Sequence, residues 1–241
     1  MGRMLFVLLL ALAAGLTTCT NSTMPMPARD APLAVTPLAD GVRLAAGGRP
    51  LTTLGYLYRD TDGLRLVDGL SFSQGSAPMP LAPAAAQLWL DDQSIAPAQQ
   101  AGQAAYGAVL ARGRLDGPGR YGPGGRYGYR LADAQLQPVT PSETTIRALL
   151  DGPDPLRQRF VRLQGGLIVL PDSALLVERL EPGGAPATNA RQIKLAAPLR
   201  DSALLRRLHA TPTGAVRYGP VQIEGLWSGR LLAPLAIRPA M

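Results

Sequence analysis

The stretch that decides the fold is "YGPVQIEGLWSG", residues 218–229, because the chain carries its skeleton twice. The earlier copy is "YGAVLARGRLDG", residues 106–117, and both read Tyr-Gly-x-Val-x-x-x-Gly-x-x-x-Gly at identical spacing. Self-similarity of this kind is the sequence signature of a repeated structural unit. The skeleton therefore predicts that one fold occurs twice in this chain.

The similarity extends well beyond the skeleton. "LGYLYRDTDGLRLVDGL" (residues 54–70) aligns without a gap on "QGGLIVLPDSALLVERL" (164–180), and "QLWL" (87–90) aligns on "QIKL" (192–195). Each unit has about 100 residues, an ordinary length for a domain. We therefore predict two domains of the same kind, over residues 35–138 and 139–241.

Local patterns within the second unit predict a mainly β structure. Alternation with period two indicates strands over 160–170, 174–180, 191–196, 220–227 and 231–237. Two short helices are expected, one over 142–150 with Ser142 as N-cap and one within 199–210 capped by Asp201 or Ser202. In the first unit, Asp91 and Asp92 are expected to cap a helix as well.

This order of helix, three strands, helix and two strands resembles an OB-fold, a five-stranded Greek-key barrel. "TIRALLDGPDPLRQRFVRLQG" (145–165) is similar to the entry of bacterial OB-fold domains of the tRNA-anticodon-binding-like type. The resemblance implies two tandem OB-like barrels, each with one or two short helices. Gly113 and Gly225 in strand four, with Gly55 and Gly165 in strand one, would then lie where a strand bends or a neighbour approaches closely.

The first residues predict export and a lipid anchor. "MLFVLLLALAAGL" (4–16) behind Arg3 is too short to cross a bilayer but fits the apolar region of a signal peptide, expected over residues 1–18. "LTTC" (16–19) resembles a bacterial lipobox, although Thr18 departs from the usual Gly, Ala or Ser. Cys19, the single cysteine, is the expected lipid acceptor, and residues 19–34 the tether. An ordinary cleaved signal and an uncleaved short anchor stay open.

The sequence offers few parts for catalysis. His209 is the single histidine and no second cysteine is present, so familiar triads and zinc sites lack components. "RDTDG" (59–63) begins like a calcium loop, but the later ligands are missing and the segment is typical of a hairpin turn. We therefore predict no enzymatic activity, no metal and no small-molecule cofactor.

Candidate ligand-binding residues lie where the two units differ. The first unit extends the hairpin between strands four and five with "GPGRYGPGGRYGYR" (117–130), and in ligand-binding OB-folds this loop lines the groove. Arginine can contact phosphate and tyrosine can stack on a ring. The alternative is that these tyrosines pack on a barrel and the strand arginines form a solvated face. The candidate set is Tyr56, Tyr58, Trp89, Arg112, Arg114, Arg120, Tyr121, Arg126, Tyr127 and Tyr129.

Taken together, the patterns predict an extracytoplasmic lipoprotein, lipid-anchored to the membrane of the cell envelope. It would act as a non-catalytic binding or scaffolding module for an envelope protein partner. As an alternative, the first unit would bind an extended anionic polymer, either single-stranded nucleic acid or an acidic glycan, a reading that the net charge of +7 permits. A third option is docking on anionic lipid headgroups.

Overall fold

The computed structural model describes residues 35–44, 48–72, 77–152, 156–197, 199 and 201–240. The predicted signal peptide, Cys19 and the predicted tether lie outside the described residues. In the part of the chain that is described, no helix combines the length and apolar character needed to cross a membrane.

The first unit is a closed five-stranded barrel, barrel 1, preceded by a short helix, α1 (Leu38–Leu44). The strand order is β1-β2-β5-β8-β7, and β7 pairs with β1 to close the sheet. β5 and β8 run parallel, whereas β1–β2, β2–β5, β7–β8 and β1–β7 are antiparallel. The barrel strands are β1 (Arg49–Asp60), β2 (Gly63–Val67), β5 (Leu88–Leu90), β7 (Ala104–Asp116) and β8 (Tyr129–Pro138); β3 (Leu70–Ser71), β4 (Met79–Pro80) and β6 (Gln99–Ala101) are accessory strands.

The second unit repeats this topology as barrel 2. Its strand order is β10-β11-β12-β15-β14, β14 pairs with β10, and β12 and β15 run parallel. The structure thus confirms a mainly β fold with two OB-like barrels. The strands are β10 (Arg159–Leu170), β11 (Ser173–Val177), β12 (Gln192–Leu195), β14 (Arg217–Trp227) and β15 (Leu231–Pro239), with β9 (Ser142–Glu143), β13 (His209–Ala210) and helices α2 (Ile146–Asp151) and α3 (Ser202–Leu205) beside them.

The helix starts differ from the sequence expectation. Thr145, not Ser142, caps α2, because its side chain accepts the N–H of Ala148 while Ser142 belongs to β9. Asp201 caps α3 as expected. No helix follows Asp91 and Asp92, which precede an irregular loop. The Asp92 carboxylate accepts the backbone N–H and the hydroxyl of Ser94, a local turn that competes with helix formation.

The repeated strand glycines lie where neighbouring backbones come too close for a side chain. A Cβ on Gly225 would lie 2.5 Å from the carbonyl oxygen of Ala233 on the next strand, and one on Gly113 would lie 2.7 Å from that of Ala132. The strand-pairing register shifts at both glycines. Gly55 and Gly165 in strand one face the same restriction, each 2.6 Å from a carbonyl oxygen. Barrel closure therefore explains why the skeleton recurs.

Three apolar cores follow from the alternation of strand side chains. Inward side chains fill each barrel, for example Leu57 in barrel 1 and Trp227 in barrel 2. Outward side chains from both barrels form a third core between them, and β3 of the first unit pairs parallel with β15 of barrel 2. The two barrels are therefore joined through their outer faces. The third core contains Leu54, Tyr56, Tyr58, Val67, Leu70, Ala104, Tyr106, Phe160, Leu235 and Ala236.

Replacing a closure glycine should destabilise the fold through a clash that no side-chain rotation relieves. We expect Gly225→Ala to lower the free energy of unfolding by about 1–3 kcal/mol, the usual range for overpacking. Gly152→Ala is the control, because a Cβ there would come no closer than 3.8 Å to the carbonyl oxygen of Ala148. Urea unfolding followed by circular dichroism measures both, and equal losses would contradict the closure argument.

Candidate functional site

Two of the predicted ligand-binding tyrosines lie in the junction between the barrels. Tyr56 is 2% exposed and Tyr58 is 4% exposed. The Tyr56 hydroxyl donates a hydrogen bond to the carboxylate of Glu224 in barrel 2, and the Tyr58 hydroxyl donates to the carbonyl oxygen of Pro78 at 2.9 Å. These side chains therefore do not line an open groove. They point out of barrel 1 and pack in the core between the barrels.

Glu224 is the centre of this junction. It projects from the outer face of β14, and its side chain is almost fully buried. Besides the Tyr56 hydroxyl, it accepts the Nε–H of Arg162 at 2.9 Å and a hydrogen bond from the Arg238 guanidinium. A buried carboxylate is tolerated when it is both paired and hydrogen-bonded. The two arginines pair with the Glu224 carboxylate, and all three partners donate hydrogen bonds to it. The Tyr56 phenol is the partner that comes from barrel 1.

At this junction Tyr56 stays protonated and Glu224 stays ionised. Burial opposes ionisation of Glu224, but the hydrogen bond from Tyr56 and the charges of Arg238 and Arg162 outweigh it and hold the pKa of this carboxyl below its usual value. Burial, the charge of Glu224 and the hydrogen bond to it raise the pKa of Tyr56 well above that of a free phenol. Because the two pKa values are pushed apart, the pair acts as a fixed contact rather than an exchanging acid and base.

Sequence reasoning missed Glu224 although a signal was present. In the aligned units Glu224 occupies the position of Arg112, one residue before the strand-four glycine. An acidic residue on the outward face of one copy and a basic residue in the other mark a position that barrel closure does not determine. Such a difference indicates a role that belongs to one copy alone.

The long hairpin of barrel 1 folds back over the outer face of β2 and β5. The ring centroids of Trp89 on β5 and Tyr127 in the hairpin lie 5.3 Å apart, and Tyr127 is 1% exposed. Arg126 forms an ion pair with Asp62 in the turn between β1 and β2. The loops that flank the groove of a ligand-binding OB-fold are therefore in contact with each other here. The hairpin therefore covers the face whose groove it was expected to line.

Arg65 lies beneath the hairpin, on the outer face of β2. It is 4% exposed on β2 and donates to both carboxylate oxygens of Asp60 at 2.7 Å and to Oε1 of Gln87 at 2.7 Å. Its guanidinium lies 4.8 Å from the ring centroid of Tyr58 and 5.9 Å from that of Tyr127. The hydrogen bonds from Arg65 hold the pKa of Asp60 below its usual value. Sequence reasoning did not single out Arg65, whose polar partners are already satisfied within the barrel.

The remaining candidates lie on β7, in the hairpin and at the start of β8. Arg112, Arg114 and Arg120 are exposed, and Arg114 pairs with Asp116 at 3.1 Å. The Arg130 guanidinium lies 5.3 Å from the ring centroid of Tyr121, whereas Tyr129 packs against the interior of barrel 1. Arg130 also pairs with Asp116, at 3.0 Å, so Arg114 and Tyr121 are linked through Asp116 and Arg130. Within the described ranges, no group of three or more His, Cys, Asp or Glu residues could hold a metal ion.

In the part of the chain that the structure describes, no hairpin covers the equivalent face of barrel 2. Its connection between strands four and five is short, since β14 ends at Trp227 and β15 begins at Leu231. Lys194, at the position of Trp89, and the nearby Gln192 are exposed on β12, and Leu175, at the position of Arg65, is partly exposed beside Lys194. The same place on the same fold is closed in barrel 1 and open in barrel 2.

The Glu224 contacts should make stability depend on pH. Glu224→Gln removes the charge that balances Arg162 and Arg238, so we expect a loss of about 3–5 kcal/mol at neutral pH, as for other broken buried pairs. Because the folded-state pKa is lowered, this stabilisation is complete above the unfolded pKa of about 4.3 and declines as the pH falls through the lower folded value. Urea unfolding between pH 7 and 3 should therefore show the variant and parent converging in acid.

Glu143→Gln is the matched control for this variant. Glu143 pairs with the same Arg162, but its side chain is 65% exposed. We expect its replacement to change the free energy of unfolding by less than about 1 kcal/mol, as for other exposed pairs. A control loss as large as that of Glu224→Gln would contradict a special role for the buried carboxylate.

Comparison with known proteins does not identify this chain. No protein-family model matches the sequence, and neither the curated proteins nor the solved structures yield a match. A fold of this kind hosts many unrelated functions, so function has to be argued from the arrangement of particular residues. Three features stand out: the buried junction between the barrels, the face of barrel 1 that the hairpin covers, and the face of barrel 2 on which Gln192 and Lys194 are exposed.

Proposed function

We propose that this protein is a membrane-anchored lipoprotein of the cell envelope that docks a protein partner and performs no catalysis. The observation that carries the proposal is the difference between the two copies. The hairpin covers the β2–β5 face of barrel 1, whereas the β11–β12 face of barrel 2 leaves Gln192 and Lys194 exposed. The docking surface is the face of barrel 2.

The chemistry of this face favours a protein over an extended polymer. Sequence-tolerant binding of single strands uses aromatic platforms beside a basic groove. In barrel 1 those aromatic residues are engaged internally, as Tyr56 is with Glu224 and Trp89 with Tyr127. Gln192, Lys194 and Leu175 on the face of barrel 2 present an amide, an ammonium group and an aliphatic side chain, none of which stacks on a base.

The rigid junction supports the same proposal. Buried contacts between Tyr56 and Glu224, together with the pairing of β3 and β15, fix one barrel against the other. A preorganised surface loses less conformational entropy when it binds than a surface carried by a flexible pair of domains. The two barrels would therefore present the open face in one orientation.

Site-specific photocrosslinking in cells tests the docking face. A photoreactive residue at Lys194 should give a discrete crosslinked species, and the same residue at Arg112, exposed on β7 of barrel 1, should give none. Adding Gln192→Glu should lower the yield from position 194 several-fold, because it places a charge within the proposed interface. Equal crosslinking from positions 194 and 112, or none from position 194, would contradict the proposal.

Metabolic labelling with a radioactive fatty acid tests the anchor. The parent chain should incorporate the label and sediment with membranes, whereas Cys19→Ala should lose the label because the only thiol is gone. An unlabelled parent that is released from the membrane would indicate an ordinary cleaved signal. An unlabelled parent that stays in the membrane would indicate an uncleaved anchor.

A further inference from the structure

An apolar strip protrudes beside the junction of the barrels. It comprises residues 78–86, which include β4 and the segment after it. Met79 is 64% exposed and Leu81 is 39% exposed, and Pro83 is exposed as well. Among the described residues, the only other exposed large apolar side chain is Leu150 on α2. Two protruding aliphatic side chains in one strip are therefore a feature of this place alone within the described chain.

The strip lies in an uncharged part of the sequence. No Asp, Glu, Lys or Arg occurs from Gly69 to Leu90. Pro78, Pro80 and Pro83 also lack a backbone N–H, which reduces the number of donors that would need water. Charged groups and unpaired donors are the costly components of a surface that enters lipid. The strip carries fewer of both than an ordinary loop.

The strip is firmly held by the first unit. The carbonyl oxygen of Pro78 accepts the Tyr58 hydroxyl, and the N–H of Leu81 donates to the carbonyl oxygen of Gly69 at 3.0 Å. Nε2 of Gln87 donates to the carbonyl oxygen of Ala82 at 2.7 Å. Exposure of Met79 and Leu81 is therefore imposed by a fixed backbone.

The chain enters the described structure close to this strip. Val35, the first described residue, and Leu235 line the same crevice of about 130 Å³ between the barrels. The carbonyl oxygen of Leu235 and the side chain of Leu81 both approach Gly69, within 2.7 and 2.9 Å of the position that its Cβ would take. Residues 20–34 separate Cys19 from Val35 and can span at most about 50 Å when extended. A lipid on Cys19 would thus keep the strip within reach of the bilayer.

We propose that this strip docks on the surface of the lipid bilayer and orients the barrel pair, an inference that rests on the membrane anchor of the proposed function. A stable protein interface buries about 800 Å² per partner, more than two protruding side chains offer. A bilayer interface accepts a small apolar tip, and a tether raises the local concentration enough for a weak contact to matter.

An environment-sensitive dye on the strip tests the inference. In a chain that starts at residue 19, carries Cys19→Ser and has an N-terminal hexahistidine tag, Met79→Cys is labelled with a nitrobenzoxadiazole dye. The protein is mixed with phosphatidylethanolamine–phosphatidylglycerol vesicles that contain a nickel-chelating lipid, so that the tag replaces the lipid on residue 19 and keeps the chain tethered. We expect a blue shift and about a twofold rise in emission as the dye enters the interface. Leu81→Ser in the same background should reduce the response. Leu150→Cys, at an exposed aliphatic position on α2 of the second unit (37% exposed, against 64% for Met79), is the control and should not respond.

The outcomes separate this inference from the proposed anchor. A silent dye at position 79, or an equal response at position 150, would overturn docking by the strip even if Cys19 is acylated in cells. A response at position 79 alone would support the strip even if fatty-acid labelling shows no lipid on Cys19. A response that survives Leu81→Ser unchanged would contradict a contact made by both side chains.

Discussion

The burial of one ionised carboxylate, Glu224, is the constraint on which the arrangement of this protein depends. Removing such a charge from water costs several kcal/mol unless partners replace the lost hydration. Arg162 and Arg238 from the same barrel and Tyr56 from the other supply these partners. Because the phenol arrives only when the barrels meet, the coordination of Glu224 is complete only in the joined pair. The junction thus selects one relative placement of two otherwise similar units.

A comparison of the two units distinguishes the residues that close a barrel from the residues that differ on the outer faces. Residues that close a barrel repeat, as Gly113 and Gly225 do beside a neighbouring carbonyl oxygen. Residues on the outer faces diverge, because closure places no demand on them. Glu224, at the position of Arg112, contributes to the junction, and Lys194 stands at the position of Trp89, which the hairpin contacts in barrel 1. Two barrels with the same topology therefore have different outer faces.

The predictable part of this structure is the part encoded locally. Period-two alternation and the repeated glycine spacing predicted the strands and their duplication, and the resemblance of the element order to an OB-fold led to the prediction of two OB-like barrels. The surroundings of Tyr56 were not predictable, since alternation says only that its side chain leaves the barrel, and its partner lies 168 residues away. In a tandem protein an outward side chain meets either solvent or the second unit. The hairpin shows the same limit, because its length is visible in the sequence but the direction in which it folds is not.

The two barrels also expose different surfaces. The described part of barrel 1 begins at Val35 and carries the protruding Met79, so its exposed apolar strip lies near the point where the predicted tether joins it. Its own groove is closed by the contact of Trp89 with Tyr127. Barrel 2 keeps the equivalent face open and is held by the Glu224 contacts. If membrane contact fixes barrel 1, the buried contacts between the barrels would carry that orientation to Lys194, so the open face would be presented in a defined direction from the bilayer.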